Sequence, residues 1–520
     1  MIRTRRNINH FPTLLSILQS ISRTIGRSAA QTLLIIGSFR MQPETGDCLK
    51  RESRYRGLPQ LIKRKNLTIT ATKRRFSFHL TAYDLRLFYL RRQHIMKSRQ
   101  SLISLAMGAV LFIGGANYAL SQNTTLSGTP TVPVSSTNNT PGTAHTNIRY
   151  FVAQGVTPQA FGPPFAGLLY EDPATLACEY DLTVQSNGCN PGTVTTNPTG
   201  GRNAIAIVDA YDDPNAYADL QAFSGQFSVL GINPSSFVVV FAPSGGATPG
   251  SCTGAATRPP VDPTGGWEIE ESLDIEYAHS MAPGAKLYLV EAQSNSDADL
   301  YCAVTVASNL VQAAGGGEVS MSWGEGEFPQ ETTDDIVFTT PGVVYFASAG
   351  DGPGTLYPSA SPNVVSVGGL TLSRNLAAGF QMGENTWQDG GGGPSFFEPR
   401  PSYQTGIANI VGSQRGTPDV SLDANPYTGV WVLDNFGCPP GFNCWYIVGG
   451  TSVSAPTFAG IVNAASRFAA SSSAELTMLY GSSFCYDINS GTCGPYIGYS
   501  AASGWDFCTG LGAPRTYSQK

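Results

Sequence analysis

Histidine is scarce in this chain. Of five in 520 residues, His10, His79 and His94 lie in a basic head and His145 in a stretch rich in Ser, Thr and Pro, so that only His279 remains from residue 148 onward. A serine nucleophile activated by imidazole would have to use that one residue. No Cys-x-x-Cys pair and no His-rich cluster occurs, which removes the usual zinc sites. Basic side chains are also few outside the head. The first 100 residues hold 21 Lys and Arg against 4 Asp and Glu, leaving 10 basic and 33 acidic residues in the remainder. A body this acidic repels nucleic acid and anionic membranes, so neither is expected as a partner. Long apolar runs are missing too: Leu102 to Ile113 is short for a membrane span.

What that run does fit is export. From Met96, MKSRQSLISLAMGAVLFIGGANYALSQ has a positive start, an apolar centre and small residues near Ala119 and Ser121, the layout of a secretory signal peptide over 96–121. The expectation is that Met96 is the true start, with 1–95 an upstream segment translated in error. Residues 122–147, which include NTTLSGTPTVPVSSTNNTPGTAHT, read as a Ser/Thr/Pro-rich linker. The folded body is expected over 148–520. Cysteine usage agrees with a secreted chain, and close spacing pairs Cys178 with Cys189, Cys438 with Cys444 and Cys485 with Cys493. Cys252 and Cys302 then pair across a longer loop, and Cys508 is left over.

Within the body, short apolar runs alternate with helical patterns. NAIAIVDAY, SFVVVFA, AKLYLVEA, EVSMSW, GVVYFASAG and NVVSVGG read as strands; AYADLQAFSGQF, EIEESLDIEYAHSMA and DADLYCAVTVASNLVQAA read as helices. Such alternation predicts a parallel sheet with helices on both faces, with ligands bound beyond the carboxyl ends of the strands. Asp209, Trp323, Asp351 and Ser452 all fall at or just after strand ends.

The stretch GGTSVSAPTFAGIVNAA places Ser452 between a glycine turn and a helix, with Pro456 read as part of the first helical turn. Unpaired N–H groups and the positive end of the helix dipole favour an oxyanion beside that hydroxyl, as a serine nucleophile requires. The plainer role is an N-cap. Glu270 and Asp274, four apart on one helix, lie on one face. Two carboxyls so close share a proton, and the pair becomes a base; the plainer role is a solvated acidic face, since Glu268, Glu271 and Glu276 lie on the same helix. Asp351 in ASAGDGPG donates to an oxyanion if held neutral, or else closes an Asx turn. His279, five past Asp274, falls on a different helical face and reads as a packing residue.

Together E-x-x-L-D-I-E followed by APGA, then S-W-G, A-G-D and G-T-S-x-S-A-P resemble the sedolisin family of serine-carboxyl peptidases over roughly 155–515. The resemblance implies an α/β, subtilisin-like parallel sheet with helices on both faces in a single large catalytic domain. It further implies Ser452 as nucleophile, Glu270 as general base, Asp274 as the acid sharing its proton and Asp351 as oxyanion donor, with Asp209 extending the carboxylate network and Trp323 bordering it. The tail CYDINSGTCGPYIGYSAASGWDFCTGLGAP is similar to the family's calcium site. That implies one Ca2+ held by the side chains of Asp487 and Asp506 and the carbonyls of Ile488, Ala502 and Gly504, with Ala502 where relatives usually carry glycine. The expected protein is a secreted, monomeric endopeptidase acting on proteins or peptides at acidic pH. Two alternatives stand beside it: a subtilisin-type triad of Asp209, His279 and Ser452, and a calcium-stabilised binding protein whose site no longer works.

Overall fold

The computed structural model describes residue 126 and residues 128–153, 161–165, 167–183, 189–191, 193–375, 380–439, 444–494 and 498–520. The basic segment 1–95 and the expected signal peptide 96–121 lie outside the described residues.

Strands β1 (His145–Thr146) and β2 (Arg149–Ala153) open the body, followed by helix α1 (Pro173–Glu179). A regular alternation follows: β3 (Ala204–Ala210), α2 (Ala216–Phe227), β4 (Phe237–Phe241), α3 (Gly266–Met281), β5 (Lys286–Ala292), α4 (Asp297–Ala313) and β6 (Gly317–Met321). Then come β7 (Trp323–Gly326), β8 (Val343–Ser348), β9 (Leu356–Tyr357), β10 (Val365–Asn375), β11 (Phe380–Thr386), β12 (Val420–Asp423), β13 (Val430–Leu433) and β14 (Trp445–Gly449). Helix α5 (Thr451–Ala464) and helix α6 (Ser472–Tyr480) follow. The alternating apolar runs thus do what their period demands, and every residue of β3, β6 and β8 is buried.

The main sheet has eight strands in the order β11-β10-β8-β6-β3-β5-β4, with β12 also paired to β10. All these pairings are parallel except β10 with β11. Helices α3 and α5 pack against each other and the sheet, while α4 packs on β3, β5 and β6. One apolar cluster gathers Leu273, Tyr277, Phe346, Val367, Val453 and Phe458. A second gathers Val208, Val290, Leu300, Val304, Val319 and Tyr345.

Helix α3 is unusual because all of its residues are buried, including Glu268, Glu270, Glu271, Asp274 and Glu276. A solvated acidic face is therefore not what these acids form. A helix enclosed all round is ordinarily apolar, and this one places five carboxyls in the protein interior.

Two expectations need correction. The stretch 122–147 is no free linker where it is described: Thr131 exchanges backbone hydrogen bonds with Tyr150, and β1 pairs antiparallel with β7. Pairing through the backbone asks nothing of side-chain polarity, which is why composition did not reveal it. The disulfides Cys178–Cys189, Cys252–Cys302 and Cys438–Cys444 form as spacing predicted, but Cys493 joins Cys508 and leaves Cys485 unpaired. Burial pushes the Cys485 thiol up to about 12. Cys508 is brought back by the turn in which Gly510 N–H donates to the Asp506 carbonyl, so distance along the chain misleads.

Candidate active site

Helix α5 presents Ser452. Its N-cap is Gly450, at φ 114°, with no side-chain cap, so neither Thr451 nor Ser452 serves as an N-cap. A Cβ on Gly450 would sit 2.0 Å from the Asn147 carbonyl oxygen and 2.7 Å from Asp351 Oδ2, so only glycine fits there. Pro456 lies in the second turn of α5, not the first. Its missing N–H leaves the Ser452 carbonyl without its helical donor, and Ser322 Oγ lies 3.3 Å from that oxygen. Ser322 Oγ is also 2.8 Å from Asp274 Oδ1. The Ser452 hydroxyl in turn donates to the Ser322 carbonyl at 3.1 Å. Ser322 was not singled out from the sequence, although it is the serine of the S-W-G motif; a hydroxyl beside a strand end carries no periodic signal.

The expected acids converge. Glu270 and Asp274 project from α3 and Asp209 from β3, all fully buried. Burial drives all three carboxyls well above the usual range; for Glu270, Asp274 and then Asp209 add repulsion, and the nearby Ser452 hydroxyl offsets the rise only in part. Neither Glu270 oxygen is in hydrogen-bonding geometry with a donor. Asp209 feels Asp274 and Glu291 and has no cation among its influences. Carboxyls this close and this dry retain protons that water would remove. The network runs on to Glu291, pushed up to about 9 by burial and then by Asp212. Trp323 stands beside it with Nε1 donating to the Val208 carbonyl at 2.7 Å.

Asp351 follows β8. Its Oδ1 accepts from Thr451 N at 2.8 Å and from Thr451 Oγ1 at 3.0 Å, whereas Oδ2 is buried without a partner. Burial pushes Asp351 up to about 7, against the pull of Thr451 and of Arg149. Arg149 is anchored elsewhere, to Asp389 and to the Asp351 carbonyl. A carboxyl neutral below about pH 7, with one oxygen free, is equipped to donate to a developing oxyanion.

His279 is not part of this constellation. It is buried near the end of α3, where its Nε2 lies 2.7 Å from the Leu230 carbonyl, and burial lowers its proton affinity. His145, expected in the linker, instead pairs with Gly324 in the β1–β7 ladder.

The five expected calcium ligands also meet in one place. Asp487 Oδ2 accepts from Gly504 N at 3.0 Å, and Asp506 Oδ2 accepts from Ala502 N at 2.9 Å. Thr509 Oγ1 bridges the Ile488 carbonyl to Asp506. Ala502 has no positive φ, so its side chain is tolerated. Among the described residues no three His, Cys, Asp or Glu side chains group as a metal site. Two carboxylates with backbone carbonyls lie below that count but form a hard-oxygen set, and Asp487 Oδ1 is buried with no partner. These residues fit a calcium ion. Among the described residues no helix is long and apolar enough to cross a membrane.

No family model matches the chain. It is similar to kumamolisin of Bacillus sp. (strain MN-32), 33% identical over 354 residues that span 61% of this chain and 59% of that protein. To sedolisin of Pseudomonas sp. (strain 101) it is 26% identical over 363 residues, 61% of this chain and 57% of that protein. The match therefore spans less than two thirds of the length of either curated relative. Among solved structures, that of Pseudomonas sedolisin, a serine-carboxyl proteinase complexed with two molecules of pseudo-iodotyrostatin, superposes with a TM-score of 0.52. That superposition has 23% identity and covers 68% of this chain and 96% of that one.

Proposed function

We propose that this chain is a member of the sedolisin family, whose solved relative shares its subtilisin-like α/β fold, and that it is a secreted serine-carboxyl endopeptidase that hydrolyses peptide bonds of proteins at acidic pH. The observation that carries this reading is the placement of Ser452 in the first turn of α5, among the buried carboxyls of Glu270, Asp274 and Asp209, which burial raises well above their usual range, and that of Asp351. The subtilisin-type alternative has no support in the position of His279, whose ring is engaged with Leu230.

In this mechanism Ser452 Oγ turns from the Ser322 carbonyl and attacks the scissile carbonyl carbon while Glu270 takes its proton. Apo hydrogen bonds of this kind commonly form only in the substrate complex. Asp274, held by Ser322, shares the proton with Glu270. The neutral Asp351 carboxyl and the Ser452 N–H donate to the oxyanion, a contribution for which loss of one donor typically costs about 10²–10³ in kcat. Glu270 then returns its proton to the leaving amine, and water releases the acyl group through the same steps. Asp487, Asp506 and the carbonyls of Ile488, Ala502 and Gly504 would hold one calcium ion, which supplies a structural clamp on the C-terminal loop. The four disulfides support secretion into an oxidising compartment, and a monomer suffices for every step.

The test is the pH dependence of kcat/KM for peptide hydrolysis with calcium present. The expected profile has its maximum well below pH 6 and collapses toward neutrality, and Glu270→Ala nearly abolishes turnover. A profile that rises through pH 6–8, or a Glu270→Ala protein with most of its activity, overturns the proposal.

A further inference from the structure

A cavity of about 270 Å³ lies at the N-terminal end of α3, where Tyr150 of β2, Tyr446 of β14, Ile269, Asp434 and Phe436 line it. The Tyr150 and Tyr446 rings meet edge to face, with centroids 5.3 Å apart and planes at 87°. Both rings and that of Phe436 are only half-buried, so aromatic surface is left to cover. Phe436 is seated over Gly265, the N-cap of α3, where φ is 71° and a Cβ would stand 3.7 Å from the ring. The loop that brings Asp434 and Phe436 here is held in shape. Asp219 accepts from Asn435 N at 2.8 Å and from Asn435 Nδ2 at 2.6 Å, Asp434 N–H donates to the Cys444 carbonyl at 3.2 Å, and the Cys438–Cys444 disulfide closes the turn. A pocket fixed in this way gives up little freedom when it is filled.

The acid in the pocket has no cation. Asp434 is 2% exposed, and its Oδ1 accepts from Phe436 N at 2.7 Å. The charged groups that act on it are Asp213, Asp219 and Glu268, all acids, and no lysine or arginine is among the described residues that line the cavity. Burial, and then Asp213, hold the Asp434 carboxyl well above its ordinary range. The phenols of Tyr150 and Tyr446 are raised too, by burial and then by Asp434, which places the carboxyl beside both rings. A positive group gains in such a place twice over: the ring faces attract it, and it supplies the charge against which the carboxyl can ionise.

The position of the cavity decides which part of a substrate arrives there. Glu270 returns its proton to the leaving amine, so the leaving half of a peptide runs past α3. From Glu270 to the N-cap at Gly265 is about 7 Å along the helix axis, which an extended peptide covers in roughly two or three residues at about 3.3 Å each. We propose that this cavity is a subsite for an arginine or lysine side chain at the second or third position beyond the cut, with Asp434 taking the charge and the rings of Tyr150, Tyr446 and Phe436 covering the stem. This rests on the peptidase reading above. As the cation seats, the Asp434 carboxyl releases its proton to solvent, so the preference for a basic side chain strengthens as pH rises.

The test compares peptides that carry arginine or citrulline, its uncharged near-isostere, at the second or the third position beyond the cut. The whole chain is used, as wild type, Asp434→Asn and Tyr446→Leu. Wild type is expected to favour arginine by about tenfold in kcat/KM at pH 5, through KM, and by less at pH 3. Asp434→Asn should bring the ratio close to one at both pH values, and Tyr446→Leu should reduce it. Because the readout is a ratio within one preparation, the fraction of a variant that folds does not enter it. Equal cleavage of the arginine and citrulline peptides by wild type, or an Asp434→Asn ratio as large as that of wild type, overturns this proposal and leaves the peptidase reading standing. Folded wild type that cuts neither peptide overturns both.

Discussion

Replacing Asp351 by asparagine separates the electrostatic part of this description from the chemical part. In the folded chain burial holds the Asp351 carboxyl at about 7, against an ordinary 3.8. Between those values the folded state binds a proton that the unfolded state has released, so the contribution of this group is fully present below about pH 4 and is lost as pH rises through about 7. Moving between those limits costs roughly 4 kcal/mol of stability. Asparagine does not titrate. Its Oδ1 can keep both bonds from Thr451, and its amide nitrogen takes the place of the unpartnered Oδ2. In a Ser452→Ala background, which prevents self-digestion, urea unfolding followed by tryptophan fluorescence at pH 4, 5, 6 and 7 gives both stability curves. The other buried acids make both chains weaker toward pH 7, but the Asp351→Asn chain should lose roughly 3 kcal/mol less between pH 4 and pH 7. Two curves falling in parallel would refute the assignment of a raised, buried Asp351.

Two further outcomes are expected. Ser348→Ala removes the acceptor of the buried Asn147 amide, and should lower the unfolding free energy of the Ser452→Ala chain by about 1–3 kcal/mol, the cost of leaving a buried donor unpaired; an unchanged urea midpoint would disprove that contribution. Chelation with EGTA should lower the thermal midpoint, and added Ca2+ but not Mg2+ should restore it, because Asp487 and Asp506 would otherwise face each other's loops without a cation; a midpoint indifferent to both would remove the metal from the C-terminal loop.

Much of the fold was legible because it follows from hydrophobic period. The run at 204–210 and the helical pattern at 216–227 match β3 and α2, and the helix bearing Glu270 and Asp274 lies where its pattern placed it. The meeting of Ser452, Glu270, Asp274 and Asp351 was legible through motif order, since each sits at a strand end or on a helix facing that end. Features built by the backbone were not. Composition marks 122–147 as a linker, yet main-chain pairing of β1 with β7 seats Asn147 at the nucleophile. Pro456 was read as helix-starting, whereas its position in the second turn frees a carbonyl for Ser322. The partner of Cys493 was misjudged because a turn, not sequence distance, decides which thiols meet.

Helix α3 gives the molecule an upper pH boundary that belongs to its core. Ionising Asp209, Glu270, Glu271 and Asp274 asks four negative charges to form where no water solvates them and no arginine or lysine stands among their influences. Such charge weakens the packing of β3 and β5 against the helix that bears three of those acids. Surface re-engineering leaves this boundary where it is, because added lysines at the rim are screened from groups packed between a helix and a sheet. The chemistry and the scaffold thus share one ceiling: a medium basic enough to strip the proton from the site also loosens the layer that holds the site together.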